Sequence, residues 1–173
     1  MLERLLTAGS GGQGIVLIGR LFASAAVKSI PHVTFFPAYG AEVRGGTSNC
    51  HVVLSSKEIA SPVSEDVDSM IIMNQASLDK FLPMMTRNCL VLVNRSMCKI
   101  PARLSAISIP ATERANQLGN TRTANFIMLG AYLARKRLVS PADIEKGMAD
   151  VFAGKDKALT EINIQAFRIG LES

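Results

Sequence analysis

The side chains of this chain that could do chemistry are concentrated in a polar, glycine-containing stretch, residues 37–48. It holds Tyr39, Glu42 and Arg44 beside a Gly45-Gly46 pair, and apolar segments typical of β-strands flank it on both sides. A plain connection between strands needs only a turn residue or two, so these groups predict a loop that presents polar side chains. The paired glycines permit a positive φ or a close approach of the backbone. The alternative is a structural loop that carries a Glu42–Arg44 ion pair.

A second glycine-rich segment, residues 9–14, lies between a short apolar segment and residues 15–27, whose apolar positions repeat with helical spacing. Gly9, Gly11 and Gly14 formally match the turn with which dinucleotide-binding folds hold a pyrophosphate. Those folds also need a ribose-binding carboxylate about 20 residues further on. Because no carboxylate follows this turn until Glu42, a nicotinamide or flavin nucleotide site is disfavoured. Two interpretations remain open: the turn binds an anion, or it only lets helix and strand pack closely.

Alternating strand and helix signals predict a single α/β domain over residues 1–173. We expect a mostly parallel, twisted sheet with helices on its faces, a Rossmann-like variant whose third and fourth strands form a local antiparallel hairpin. Asn74 and Asn94 would end two strands at the carboxyl edge, where α/β proteins bind ligands, although asparagine is also an ordinary strand terminator. The predicted strands are residues 4–8, 33–36, 49–56, 69–74, 90–94 and 106–109, and the predicted helices begin near residues 15, 75, 111, 121, 141 and 159.

Composition and spacing exclude several functions. The formal net charge is +5, but the basic residues are scattered and aromatic residues make up only 5% of the chain, which argues against a nucleic-acid groove. Cys50, Cys89 and Cys98 lack the spacing of a metal or iron–sulfur site, and their odd number indicates reduced thiols. No apolar stretch is long enough for a membrane span and the first residues lack signal-peptide architecture, so we expect a cytoplasmic protein with neither membrane nor nucleic-acid partners.

Several motifs together resemble one known family. The run Tyr39-Gly40-Ala41-Glu42-Val43-Arg44-Gly45-Gly46, with Ser48 after it, is similar to the signature of the gamma subunit, or gamma domain, of 2-oxoacid:ferredoxin oxidoreductases. Three further hallmarks of that family match in the right order: Gly9-Ser10-Gly11-Gly12-Gln13-Gly14, Ile59-Ala60-Ser61-Pro62 and Met73-Asn74-Gln75. Either glycine motif alone would be weak, whereas the combination is specific and spans most of the chain.

The resemblance implies a gamma subunit of a multi-subunit enzyme of the pyruvate, 2-oxoglutarate and 2-oxoisovalerate family. Such an enzyme converts a 2-oxoacid and coenzyme A to acyl-CoA and carbon dioxide while it reduces ferredoxin, and overall resemblance favours 2-oxoglutarate. By resemblance, thiamine diphosphate and the iron–sulfur clusters lie on partner subunits, this chain holds no cofactor, and the isolated chain is inactive. The competing interpretation is a stand-alone nucleotide- or phosphate-binding module that uses the turn at residues 9–14.

The candidate ligand- or interface-binding residues come from the two glycine motifs, one strand end and the first turn of a later helix. No catalytic or metal-binding residue is expected in this chain. Whether Glu42 and Arg44 contact coenzyme A or only a neighbouring subunit stays open. The candidates are Gly9, Gly11, Gly12, Gln13, Gly14, Tyr39, Glu42, Arg44, Gly45, Gly46, Ser48, Asn74 and Asn125.

Overall fold

The structure is a computed structural model that describes residues 1–39, 47–154 and 156–173. The predicted strands and helices are confirmed, with β5 beginning at Met85 rather than at residue 90. In chain order the elements are β1 (Leu2–Ser10), α1 (Ile15–Ala26), β2 (His32–Tyr39), β3 (Thr47–Ser55), β4 (Val67–Ile72), α2 (Gln75–Phe81), β5 (Met85–Asn94), β6 (Ile107–Ile109), α3 (Ala111–Gln117), α4 (Ala124–Arg135), α5 (Pro141–Val151) and α6 (Lys157–Leu171).

Local sequence signals set where the helices begin. α1 follows Gly14, whose φ of 70° is a left-handed conformation that glycine adopts without steric cost. The side chain of Asn74 caps α2 by accepting a hydrogen bond from the Ser77 N–H at 2.9 Å. Pro141 opens α5, where its missing N–H leaves no helical bond unmade. These signals explain why the helix starts could be predicted closely.

The six strands form one sheet in the order β2-β3-β1-β4-β5-β6. β3 pairs antiparallel with β1 on one side and with β2 on the other, whereas β1, β4, β5 and β6 pair in parallel. Among these six strands, therefore, only β3 runs against the other five. The expectation of a mostly parallel sheet is confirmed.

The antiparallel hairpin is formed by β2 and β3, so the prediction that the third and fourth strands form it is wrong. β4 lies on the opposite side of β1 from β3 and is parallel to both of its neighbours, β1 and β5. Its residues 69–72 are buried on both faces, which suits an interior strand of a parallel sheet and not one arm of a hairpin. Segment 56–66 carries the chain across the sheet to that interior position.

The sheet separates two apolar cores. The larger core lies under α1, α4, α5 and α6 and includes Leu5 of β1, whereas the smaller core lies under α2 and includes Leu6 and Ala8 of the same strand. This alternation is the period of two that a strand covered on both faces requires. None of the helices in the described ranges is both long and apolar enough to span a membrane.

Two glycines let α4 and α6 pack with their backbones in contact. A Cβ added at Gly130 of α4 would overlap the carbonyl oxygen of Phe167 and would lie 2.9 Å from the Leu171 nitrogen. A Cβ at Gly170 of α6 would in the same way overlap the carbonyl oxygen of Ile127. The neighbouring atoms belong to the backbone, so no side-chain rotation could relieve the overlap.

We predict that Gly130→Ala lowers the free energy of unfolding by at least about 2 kcal/mol, because overpacking against a fixed backbone forces the two helices apart. Gly147→Ala is the matched control, since this glycine of α5 would bring its Cβ only to 3.2 Å from the end of the Leu21 side chain. The control should stay within about 1 kcal/mol of the parent chain, with better helix propensity offsetting the contact. Urea denaturation measures both, and equal midpoints would contradict the prediction.

Candidate functional site

The carboxyl ends of β1, β2, β4, β5 and β6 lie at one edge of the sheet, together with the glycine turn and the first turns of α2 and α3. A cavity of about 230 Å³ opens at this edge, and we call it the carboxyl-edge cleft. Its position is where α/β proteins bind ligands. The described residues that line it are Gly12, Gln13, Met73, Met97, Thr112, Thr121, Arg122, Ala124 and Asn125.

The side chain of Gln13, a residue of the glycine turn between β1 and α1, stabilises that turn. Gln13 folds back so that its Oε1 accepts the Ser10 N–H at 2.7 Å, while the Gln13 N–H donates to the Ser10 carbonyl at 3.2 Å. The Gln13 amide lies over Gly9, where a Cβ would be only 2.6 Å from Oε1. Gly12 and Gly14 both have positive φ, 86° and 70°. The glycines are therefore needed for the turn itself as well as for packing.

The side chain of Asn125 joins the glycine turn to the start of α4 by hydrogen bonds. Its Nδ2 donates to the Gly14 carbonyl at 3.2 Å, and its Oδ1 accepts the Phe126 N–H at 3.0 Å. Only 2% of the residue is exposed, so both ends of the amide need these partners. A Cβ on Gly14 would overlap the Asn125 amide nitrogen, so glycine at one position and asparagine at the other are required together.

The two strand-ending asparagines have different roles. Asn74 donates from Nδ2 to Ser10 Oγ while it caps α2, so it ties the end of β4 to the glycine turn. Asn94 is fully buried and its Nδ2 donates to Thr112 Oγ1 at 2.8 Å, which anchors the start of α3. Asn74 thus holds the glycine turn in place beside the cleft. Asn94 is an ordinary strand terminator, which is the alternative that the sequence left open.

The β-sheet register brings the second glycine motif to the same edge. Ser48 on β3 lies opposite Gly9 on β1 and opposite Tyr39, the last residue of β2. The side chain of Tyr39 is not among the described parts of the chain. The other predicted residues of this motif lie outside the described residues, and their roles stay predictions: Glu42, Arg44, Gly45 and Gly46.

Of the predicted residues, Gly12, Gln13 and Asn125 line the cleft itself. The contacts described above hold the turn that forms one wall of the cleft, and they involve Gly9, Gly14 and Asn74. A Cβ on Gly11 would meet nothing within 4 Å, so packing does not require glycine there. The structure therefore brings the glycine turn, Asn74 and Asn125 together.

Sequence reasoning misses the cations around the cleft. Arg122 lines it, and Lys80 of α2 donates to Thr47 Oγ1 at 2.9 Å, at the point where β3 begins. Arg122 follows Asn120, whose side chain caps a short 3₁₀ turn by accepting the Arg122 N–H at 3.1 Å. That cap was the only sequence signal near Arg122, while Lys80 lies in an ordinary helical pattern. Only the sheet topology places both at this edge.

A second, more open groove adjoins the cleft at Met97. It has a volume of about 660 Å³ and is lined by Gln75, Arg95, Ser96, Met97, Cys98 and Lys99. The ion pairs found among the described residues involve other cations. Within the described part of the chain, no carboxylate therefore forms a salt bridge with Arg95, Lys99 or Arg122. Cleft and groove together form a surface with net positive charge.

Burial favours the protonated form of the three thiols. Burial raises the pKa of Cys50 to about 12 and that of Cys98 to about 11, whereas cluster ligands are thiolates. Burial likewise raises the pKa of Cys89 to about 12. Burial lowers the pKa of His51, which favours its neutral form. Within the described ranges, no group of three or more His, Cys, Asp or Glu residues could hold a metal ion.

The strand order also bears on the dinucleotide interpretation of the turn. In the classic dinucleotide-binding fold the second strand lies directly beside the first, and its end carries the ribose-binding carboxylate. Here β3 occupies that position and runs in the opposite direction. At the equivalent edge this strand begins with Thr47 and Ser48, and neither is an acid. The structure therefore adds a topological reason against a nicotinamide or flavin site.

A mixed six-stranded α/β domain with a glycine turn at the carboxyl edge of its sheet is the class that fold and cleft define. The chain belongs to the pyruvate ferredoxin/flavodoxin oxidoreductase family, whose family model matches residues 4–173. The gamma subunit of a keto/oxoacid ferredoxin oxidoreductase from Geobacter sulfurreducens has the same fold, with a TM-score of 0.81 and 27% identity, covering 98% of this chain and 96% of that one.

Two relatives differ in how much of their length the chain matches. The ketoisovalerate oxidoreductase subunit VorA of Methanothermobacter marburgensis is 36% identical over 174 residues, which cover 98% of this chain and 36% of that protein. The 2-oxoglutarate synthase subunit KorC of Archaeoglobus fulgidus is 31% identical over 166 residues, which cover 95% of this chain and 84% of that protein. The chain therefore spans about a third of the first relative and most of the second.

We predict that Gly14→Ala destabilises the chain by at least about 1 kcal/mol more than Gly119→Ala. Both glycines have positive φ, 70° and 81°, so both variants incur the cost of a left-handed alanine, about 1–2 kcal/mol. Only at Gly14 would the new Cβ also displace the Asn125 amide, since a Cβ on Gly119 meets nothing within 4 Å.

Thermal and urea unfolding of the two single variants measure this difference. Asn125→Ala in the Gly14→Ala background should cost less than Asn125→Ala alone, because the clash has already displaced the amide. If the losses in the free energy of unfolding are strictly additive, the hydrogen bond between Asn125 and the Gly14 carbonyl does not stabilise the turn as described.

Proposed function

We propose that this chain is the gamma component of a multi-subunit 2-oxoacid:ferredoxin oxidoreductase. The observation that carries the proposal is family membership over residues 4–173, since the match covers both glycine motifs and the cleft that the first of them shapes. The solved gamma subunit from Geobacter sulfurreducens supports the same assignment through its shared fold at nearly equal length. The complex would convert a 2-oxoacid and coenzyme A to acyl-CoA and carbon dioxide and pass the electrons to ferredoxin.

In this proposal the partner subunits supply thiamine diphosphate and the iron–sulfur clusters. Two observations on this chain are in keeping with that division: burial raises the pKa values of the thiols, and no group of three or more His, Cys, Asp or Glu residues in the described ranges could hold a metal ion. The chain's own work is then binding and positioning, and the isolated chain is inactive. A cytoplasmic location belongs to the proposal, because Cys50, Cys89 and Cys98 are all free thiols.

The carboxyl-edge cleft is the proposed approach for coenzyme A, which carries several phosphate groups. Arg122 and the amide of Gln13 line the cleft, and Arg95 and Lys99 line the adjoining groove. Cations without a carboxylate partner among the described residues favour an anionic ligand. Glu42 and Arg44 would complete either this approach or the contact with a partner subunit, as the resemblance implies.

The proposed 2-oxoacid is 2-oxoglutarate. Support comes from KorC of Archaeoglobus fulgidus, a 2-oxoglutarate synthase subunit of which this chain covers 84%. A specific observation favours 2-oxoisovalerate as the second candidate, because the VorA relative is named for ketoisovalerate and has the higher identity, 36%. The substrate pocket is proposed to lie mainly on the partner subunits.

We predict that the chain purified with its neighbouring subunits reduces ferredoxin when 2-oxoglutarate and coenzyme A are supplied, and that the isolated chain shows no turnover. The physical reason is that the thiamine and cluster chemistry resides on the partners. Specific activities of the assembled complex with 2-oxoglutarate, 2-oxoisovalerate and pyruvate measure the preference. A clear preference for 2-oxoisovalerate would correct the substrate, whereas turnover by the isolated chain would refute the proposed role.

We predict the effects of two arginine substitutions in the assembled complex. Arg122→Ala should raise the KM for coenzyme A about tenfold or more without changing assembly, because it removes one cation from the cleft. Arg44→Ala, judged from its motif, should weaken subunit co-elution or raise the same KM, since stranding a buried partner charge costs roughly 3–5 kcal/mol.

Arg137→Ala is the matched control for both variants, since Arg137 is exposed and lies outside the cleft and the groove. Its assembly and kinetics should equal those of the parent complex. If Arg122→Ala behaves like this control, the cleft is not the approach for coenzyme A.

A further inference from the structure

The two edge strands of the sheet differ in length and in protection. β6, at one edge, has three residues, and so short a strand is a poor template for further pairing. β2, at the other edge, has eight residues and contains no Asp, Glu, Lys or Arg. In the described part of the chain, no strand pairs with the outer side of β2, which we call the free edge. The free edge therefore presents unpaired backbone groups without the charged side chains that usually protect an edge strand.

One backbone hydrogen bond shows which residues of β2 point their backbone groups to the free edge. The Ser56 N–H donates to the Met1 carbonyl at 2.9 Å, which continues the β1–β3 register by one pair, so the backbone groups of Ser56 face β1. These groups alternate in direction along a strand, so those of Cys50 also face β1. Pro37 lies opposite Cys50 on the other side of β3, and its nitrogen and carbonyl therefore face the free edge. The missing N–H of this proline interrupts the free edge and not the β2–β3 ladder.

A short stretch of the free edge before Pro37 can pair fully. By the same alternation, Val33 and Phe35 direct both their N–H and their C=O to the free edge. Pro31 directly precedes the strand, so a proline lies two residues outside this pair on either side. An added strand can therefore exchange complete backbone bonds with Val33 and Phe35 but not beyond them.

Apolar side chains are exposed on both faces of the sheet beside this stretch. Phe36 is 42% exposed on one face. On the other face, Val33 and Phe35 line a cavity of about 250 Å³ together with Val27 of α1, which is 62% exposed. The exposed Arg20 is the only charged residue in the described lining of this cavity. A strand added at the free edge would cover apolar surface on both faces.

Thr34 makes the free edge complementary to itself. A two-fold axis through Thr34 places Val33 of each copy opposite Phe35 of the other, and the two Thr34 residues face each other between these pairs. Thr34 Oγ1 is buried and has no hydrogen-bond partner among the described residues, and facing threonines can bond to each other. A shift of the register by two residues in either direction would instead place Pro31 or Pro37 opposite a residue that needs a donor.

We propose that the free edge of β2 pairs antiparallel with the same edge of a second copy of this chain, with the two-fold axis at Thr34. Val33 and Phe35 exchange backbone hydrogen bonds across the interface, and the two six-stranded sheets become one. A rotation about χ1 brings each Thr34 hydroxyl to the other, and Phe36 of each copy packs against His32 of its partner. This pairing does not depend on the proposed function.

The full-length chain should sediment as a dimer at micromolar concentration, and charges at the axis should separate it. Thr34→Lys and Thr34→Glu should each weaken dimerisation at least about tenfold, because two like charges face each other directly. An equimolar mixture of the two variants should form the dimer again, which also shows that both variants fold. Thr160→Lys is the matched control, since it adds the same charge at a half-buried threonine of α6 and should leave the dimer unchanged.

Cysteine cross-linking tests the register. In Thr34→Cys the two facing Cα atoms would be about 4.5 Å apart, within the range of a disulfide, so mild oxidation should join the two copies. Phe36→Cys is the control on the same face, because its two copies would be about 13 Å apart along the paired strands. Phe36 is more exposed than Thr34, so random oxidation would favour the control.

The inference is overturned if the parent chain sediments as a monomer, if the mixture of charged variants stays monomeric, or if Phe36→Cys cross-links as readily as Thr34→Cys. An extended segment of a different subunit at the free edge would also overturn it. In that case both charged variants would lose co-elution with that subunit, and mixing them would not restore it.

Discussion

The contact between Gly14 and Asn125 is the constraint on which the cleft depends. The Gly14 carbonyl accepts two hydrogen bonds, from the Ile18 N–H of its own helix at 3.1 Å and from Asn125 Nδ2 at 3.2 Å. One backbone atom therefore joins the start of α1 to the start of α4. Because the amide is buried, an unmet donor or acceptor there would cost about 1–3 kcal/mol. This pairing of two neutral groups holds the glycine turn, one wall of the cleft, next to the start of α4, the other wall.

A second cluster fixes the other end of α4, in this case to β1. Glu3, near the start of β1, is buried and accepts from Tyr132 Oη at 3.2 Å and from Lys136 Nζ at 2.7 Å, both near the end of α4. Burial and the charge of Glu3 raise the pKa of Tyr132 well above its usual value, so its hydroxyl remains a donor. α4 is thus fixed at both ends, to the glycine turn by the Asn125 amide and to β1 by the hydrogen-bonded carboxylate of Glu3. The apolar core between them need not determine their register alone.

The sequence predicts the elements well and their arrangement less well, for identifiable reasons. Strand and helix positions follow from local apolar periodicity, and Gly14 and Asn74 mark helix starts by local geometry. The hairpin prediction is wrong because strand pairing is a non-local choice, and nothing local marks β4 as the strand that passes to the far side of β1. In the cleft, Gln13 and Asn125 could be found because they belong to or face a motif. Arg122 and Lys80 could not, because only the topology brings them to this edge.

A subunit that only binds and positions a ligand, as proposed for this chain, can still affect the rate of a complex. If the cleft binds the non-reacting, anionic end of coenzyme A as proposed, it holds that substrate equally in the ground state and the transition state, and such uniform binding lowers KM without changing kcat. If the turn shifted, however, the reacting end of the same ligand would be misplaced on the partner subunit, and that loss would appear in kcat. The split between the two kinetic constants therefore distinguishes a residue that contacts the ligand from a residue that only supports the turn.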